Sequence, residues 1–97
     1  MHSEAEFQKE VKRDLRQKFK GCVVLKNDSS HFQGIPDLIV LYKNKWIALE
    51  CKRSEKEHRQ PNQQHYVNQL NKMSYAAFIY PENKEEILEE IHKKFKT

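Results

Sequence analysis

Apolar positions recur along this chain with two different periods, and the changes of period mark out its elements. Phe7, Val11, Leu15 and Phe19 stand four apart with charged residues between them, which is the stripe of an amphipathic helix over 3–20. Ser3 with Glu6 three residues on has the form of a capping box, and Gly21 suits the helix end. Cys22 to Leu25 reads as a short strand and 27–34 as a polar loop. Asp37 to Tyr42 and Lys45 to Cys51 read as two more strands, with Lys43-Asn44 as a two-residue turn. The unbroken apolar run Leu38 to Leu41 predicts a central strand covered on both faces. Positions 53–62 carry no apolar residue and read as a mobile charged loop. Helical spacing returns over 63–73 through Tyr66, Val67, Leu70 and Met73, and Ser74 to Tyr80 is a fourth strand stopped by Pro81. Asn83 with Glu86 forms a second candidate capping box ahead of a last helix carrying Ile87, Leu88, Ile91 and Phe95. The order α-β-β-β-α-β-α predicts an antiparallel meander, with the helix before the last strand bringing it back into the same sheet.

A chain of 97 residues makes a single domain, 1–97, with a modest core. Burial of the last helix's stripe is expected to exceed what one sheet face can cover, which points to a homodimer. The net charge of +4 permits a nucleic-acid partner without requiring one; a solvated basic surface explains it equally well. Cys22 and Cys51 lie far apart with no paired-cysteine spacing and read as reduced thiols, as in a cytoplasmic protein. The polar, acidic start has no signal-peptide pattern, and no apolar run approaches the ~20 residues of a membrane span.

The chemistry lies where charge interrupts the two most apolar segments. Asp37 opens the run Asp37-Leu38-Ile39-Val40-Leu41, and Glu50 and Lys52 close the run Trp46-Ile47-Ala48-Leu49. A strand has side-chain period two, so Glu50 and Lys52 share a face, and a hairpin brings Asp37 beside them. Two carboxylates and an ammonium inside an apolar sheet need compensation, which a divalent metal supplies. Asp37 and Glu50 are hard oxygen donors for Mg²⁺, and the backbone carbonyl of Cys51 is a candidate third. Lys52 then sits where it can favour hydroxide and offset charge on a phosphate. Gly34 and Pro36 shape a tight approach that aims Asp37 at the sheet's open end. Separately, Asp37 could be a turn residue after proline, and Glu50 with Lys52 an exposed ion pair. Neither reading explains why the acids stand in the most apolar segments.

Gly34-Ile35-Pro36-Asp37, a strand, and then Glu50-Cys51-Lys52 resemble the PD-(D/E)xK nuclease superfamily. Pro61, Gln63, Tyr66 and Leu70 fall in the arrangement Pro-x-Gln-x-x-aromatic-x-x-x-Leu. With it the chain, from Glu4 to about Tyr80, resembles the virus-type replication-repair nuclease (VRR-NUC) family, itself similar to Holliday-junction resolvases. The resemblance implies an α/β, restriction-endonuclease-like fold: an αβββαβ core with a central mixed four-stranded sheet flanked by helices. It implies that Asp37 and Glu50 bind Mg²⁺ (or Mn²⁺), that Lys52 is the catalytic lysine, and that Gln63 orients metal-bound water or phosphate. It also implies a first-helix glutamate, for which Glu4 matches best and Glu10 is a rival. The tandem Gln63-Gln64 departs from the family pattern and leaves Gln64 as an alternative.

The expectation is a Mg²⁺-dependent endonuclease hydrolysing DNA, selective for branched structure, acting as a homodimer and plausibly phage-encoded. Arg53, Lys56 and Arg59, with His58 among them, are candidates for tracking a phosphate backbone, although a solvated loop explains them equally well. His31 is a minor candidate for phosphate contact. Trp46 and the Phe and Tyr residues are expected in the core rather than stacked on bases. Other readings stay open: a nucleic-acid-binding module with weak or no activity, or a nuclease subunit of a larger restriction or repair complex.

Overall fold

The computed structural model describes residues 3–28 and 30–96, so position 29 of the expected polar loop lies outside the described residues. Helix α1 (Glu4–Lys18) begins at a complete capping box: the Glu6 N–H donates to Ser3 Oγ, and the Ser3 N–H donates to Glu6 Oε1. Strands β1 (Val23–Lys26), β2 (Leu38–Tyr42) and β3 (Lys45–Cys51) follow, then helix α2 (Pro61–Met73), strand β4 (Ala76–Ile79) and helix α3 (Lys84–Lys96). The β2–β3 turn is the two residues Lys43 and Asn44; Lys43 takes the positive φ, 56°, that so tight a reversal needs.

The strands form one mixed sheet in the order β1-β2-β3-β4. β1, β2 and β3 are antiparallel neighbours, and β4 returns through α2 to lie parallel to β3. The period of two sorts the apolar residues onto two faces. On one face Leu38, Val40, Ile47, Leu49, Cys51 and Ile79 pack with Phe7, Val11, Leu15 and Phe19 of the first helical segment and with Ile87, Leu88, Ile91 and Phe95 of α3. On the other, Ala48, Ala76 and Phe78 pack under Val67 and Leu70 of α2. The second layer is thinner, and it is open over β1 and β2.

Five expectations change here. The α3 stripe is not surplus: Ile87, Leu88, Ile91 and Phe95 are all buried within the chain, so that argument for a homodimer fails. Strand β2 is fully covered on one face only, and on the other just Ile39 packs partly against the α2 layer. Leu38 and Val40 are buried, but Leu41 on the α2 side is 39 % exposed because α2 lies over β3 and β4. The strand buried on both faces is instead β3, over Ile47 to Cys51. Asn83 turns its side chain backward: Oδ1 accepts from the Tyr80 N–H and Nδ2 donates to the Phe78 carbonyl, so it ties off β4 rather than forming the expected capping box. The segment 53–60 is also held: the Arg53 N–H donates to Glu57 and the Glu55 N–H to Glu82. α2 starts within the expected loop, at Pro61, because proline loses nothing at the first helical position.

Among the described residues no helix is long and apolar enough to cross a membrane, and Cys22 and Cys51 are free thiols.

Candidate active site

Strand parity places the site. Even positions of β3 face α2, so Ala48 packs against that helix, and Glu50 and Lys52, which continue the same row, lie beside its N-terminal turn. The β2–β3 register pairs Leu38 with Leu49, and one further step sets Asp37 against Glu50. Asn27 fixes the approach to β2: its N–H donates to the Asp37 carbonyl at 2.7 Å and its Nδ2 to the Pro36 carbonyl at 2.7 Å. Gly34 takes φ +87°, and a Cβ there would lie within 2.7–2.9 Å of Asn62, so only glycine lets this loop close on the start of α2.

Gln63 is the hub. Its Oε1 accepts from Lys52 Nζ at 2.9 Å and from the Gln60 N–H at 3.0 Å, while its Nε2 donates to Glu50 Oε2 at 3.1 Å. One amide therefore both ties off the first turn of α2 and fixes the acid and the lysine relative to each other. Lys52 Nζ lies 4.0 Å from Glu50 Oε2 and 3.9 Å from Glu57 Oε2. The Glu50 and Lys52 side chains are almost fully buried, at 4 % and 6 % exposure. Asp37 Oδ2 accepts the Cys51 N–H at 3.0 Å. The N–H groups of Ala48 and Lys52 point to β4, so the N–H and C=O of the intervening Cys51 point the other way, toward Asp37. Burial raises the pKa of the Cys51 thiol, and its side chain belongs to the core.

These groups line the floor and walls of a cleft of about 660 Å³, together with Glu4, Arg53, Lys56, Glu57 and His58. Four carboxylates, those of Glu4, Asp37, Glu50 and Glu57, converge there on the ammonium of Lys52. Loss of water and then the charge of Asp37 push Glu50 up to about 8, against the pull of Lys52. Asp37 is also raised, first by burial, against the Cys51 N–H and Lys26. Glu4 is raised by burial and then by Glu57, which faces it. Glu57 pays its own burial cost but ends below the usual range, because the Arg53 N–H, Glu4, Lys52 and Arg53 all favour its charged form.

The two rival pairs separate in space. Glu4 lines the cleft, whereas Glu10 reaches away from it to Lys84 at 2.7 Å. Gln63 joins the cluster, whereas Gln64 donates to Asn68 one turn along the exposed helix. Arg53 and Lys56 line the cleft. Arg59 lies instead over the Phe78 ring, 4.1 Å from its centroid. His31 sits on the loop before β2, 86 % exposed and 3.8 Å from Asp28, away from the residues that line the cleft. Reading the sequence missed Glu57, since nothing in a run of charged residues distinguishes the one that folds back onto Lys52. It also missed that Phe32 is half exposed rather than in the core.

A mixed four-stranded sheet with two helices on one face, one on the other, and polar groups clustered at the strand ends is a restriction-endonuclease-like fold. A solved structure described as a VRR_NUC domain protein shares it, with a TM-score of 0.71 over 99 % of this chain and 90 % of that one, at 22 % sequence identity. The chain thus has the fold that its motifs resemble. No family model matches it, and no curated protein is significantly similar to it.

Proposed function

We propose that the chain is a metal-dependent endonuclease that hydrolyses DNA phosphodiester bonds, of the VRR-NUC kind. The observation that carries the reading is the buried Glu50–Gln63–Lys52 cluster with Asp37 beside it on the floor of an open cleft. So costly a concentration of carboxylates is explained by chemistry and not by stability.

The residues fit a hard divalent cation such as Mg²⁺ or Mn²⁺. Among the described residues no three side chains of His, Cys, Asp or Glu form a ready-made metal cage. Mg²⁺ needs no such cage, for it is held by one or two carboxylates and keeps several waters. Asp37 and Glu50 would supply the carboxylates, and the Cys51 carbonyl, on the Asp37 side of β3, is the natural third oxygen. A bound cation would offset the burial and the Asp37 charge that together favour the protonated form of Glu50, lower the pKa of a coordinated water and neutralise charge on the phosphate. Lys52 contributes an ammonium beside the attacking water and the phosphate, held in place by Gln63. Gln63 also keeps Glu50 oriented through its amide N–H. Glu4, on the wall formed by α1, is available to outer-sphere water. Arg53 and Lys56 on the rim are placed for backbone phosphates, a contact that carries no sequence information. Contacts of that kind leave DNA shape, as in branched substrates, as the feature the site would select.

Nicking of supercoiled DNA with and without Mg²⁺ tests the reading. Asp37→Ala is expected to abolish nicking while DNA binding stays near the parent level, since the change removes a metal ligand and also a charge that repels phosphate. Nicking at the parent rate by this variant rules the site out.

A further inference from the structure

Beside the charged cleft runs a second hollow of about 420 Å³, lined by Ser30, Gln33, Gly34, Gln60, Asn62 and Gln63. Gly34, Gln60 and Gln63 line both, so the two spaces adjoin. Their chemistry differs sharply. The main cleft is lined by acids and bases; the side hollow has no charged residue, only amides, a hydroxyl and glycine. Next to it in the same loop stands Phe32, 50 % exposed. Its ring meets Tyr66 edge-on, with centroids 5.1 Å apart, and Tyr66 in turn meets His65 at 4.9 Å. Tyr66 lies three residues after Gln63 on α2, hence about one turn away and on nearly the same side. The close approach of Gly34 to Asn62 locks the loop that carries Phe32 onto the start of α2.

An exposed phenylalanine costs solvation and gains little here from packing. A phosphate would be held by cations, which the side hollow lacks. Aromatic faces beside neutral amide donors and acceptors match a nucleobase: the rings stack on its face and amides bond its edge. We infer that the Phe32–Tyr66 platform and the adjoining amide hollow form a subsite for an unpaired base next to the scissile phosphate. The inference rests on the nuclease reading and deepens it, for it names the substrate class as DNA with an unpaired nucleotide at the cut. A base within a duplex has both faces covered by its neighbours, so only an unstacked one can use the platform.

The experiment uses oligonucleotides with 2-aminopurine at an unpaired position, in Ca²⁺, read by fluorescence and by anisotropy. The parent protein is expected to quench the unpaired base. Phe32→Ala should lose the quench and bind the unpaired substrate roughly tenfold more weakly, with duplex binding unchanged within about twofold. Phe32→Tyr should restore both. Because Phe32 is half exposed, the variants are expected to melt with the parent; Gln33→Ala supplies a second variant should one of them not fold. Phe32 variants with parental quench and affinity overturn the inference, as does equal weakening on duplex and unpaired DNA. Loss of self-association without loss of the quench does so too, since Phe32 then serves a protein contact. A parent that nicks DNA beside indifferent Phe32 and Gln33 variants removes this subsite alone; a parent that neither nicks nor binds DNA removes the nuclease reading itself.

Discussion

Two lysines in this molecule each stand between carboxylates, and they do opposite things. Lys84, the first residue of α3, donates to Glu10 at 2.7 Å and Asp14 at 2.7 Å, so it fastens α3 to α1. All three side chains are partly solvated, at 17–26 % exposure. Burial disfavours the Lys84 ammonium, but its hydrogen bonds to Asp14 and Glu10 outweigh this and raise its pKa. Lys52 is buried, lies 3.9–4.0 Å from its acids, and gives its close hydrogen bond to a neutral amide, that of Gln63. Around Lys84 the charges are met at contact distance where water still reaches. Around Lys52 acid is in excess and water is scarce, so Glu50 is driven to hold a proton. Short, partly solvated pairs are what stability selects; a buried, unbalanced cluster marks a place that awaits another charge.

The largest break in this comparison comes from removing each ammonium in turn. Lys52→Met is expected to slow nicking by on the order of 10²–10³-fold, while Mg²⁺ binding by calorimetry persists, because the role proposed for the lysine is to stabilise charge in the transition state and not to hold the ion. Lys84→Met is expected to leave the nicking rate within about twofold. Equal losses from the two would place Lys52 among structural ion pairs.

Next comes the pH dependence of metal-free stability. An acid whose pKa is higher folded than unfolded keeps its proton in the native state, so its contribution is complete below the unfolded value and is lost as pH rises through the folded one. For Glu50 that window runs from 4.5 to about 8, and melting temperature without metal should fall across it. The loss is on the order of a few kcal/mol. Glu50→Gln should flatten the curve, and Mg²⁺ should stabilise the parent most at the alkaline end. A melting temperature that rises steadily from pH 5 to 8 without metal contradicts the proposed frustration.

Smaller effects sharpen the contrast from the other side. Chemical denaturation of Lys84→Met should show a loss of about 1–2 kcal/mol, since Glu10 and Asp14 are left facing each other. Glu57→Gln keeps an oxygen for the Arg53 N–H and removes only the charge beside Lys52. Single-turnover rates should drop about fivefold, well short of the Lys52 variant.

The order of the elements, the α1 capping box, the hairpin at Lys43-Asn44 and the faces of β3 were legible in the chain because each depends on neighbours a few residues away. So was the placing of Asp37, Glu50 and Lys52 at the ends of two apolar strands, Asp37 just before β2 and Lys52 just after β3, since period two and the cost of burying charge are local arguments. What the sequence left open turns on contacts across long separations. Gln63 and Gln64 are adjacent and alike, and only the seating of α2 on β3 decides which one meets Lys52. Glu4 and Glu10 flank the same stripe, and the placing of α3 draws Glu10 to Lys84. Glu57 comes beside Lys52 only when its loop folds back, and Phe32 stands half exposed on the loop that Gly34 closes onto Asn62. Whether the α3 stripe was spare or spent depended on how much of the sheet α1 leaves uncovered, which no periodicity records.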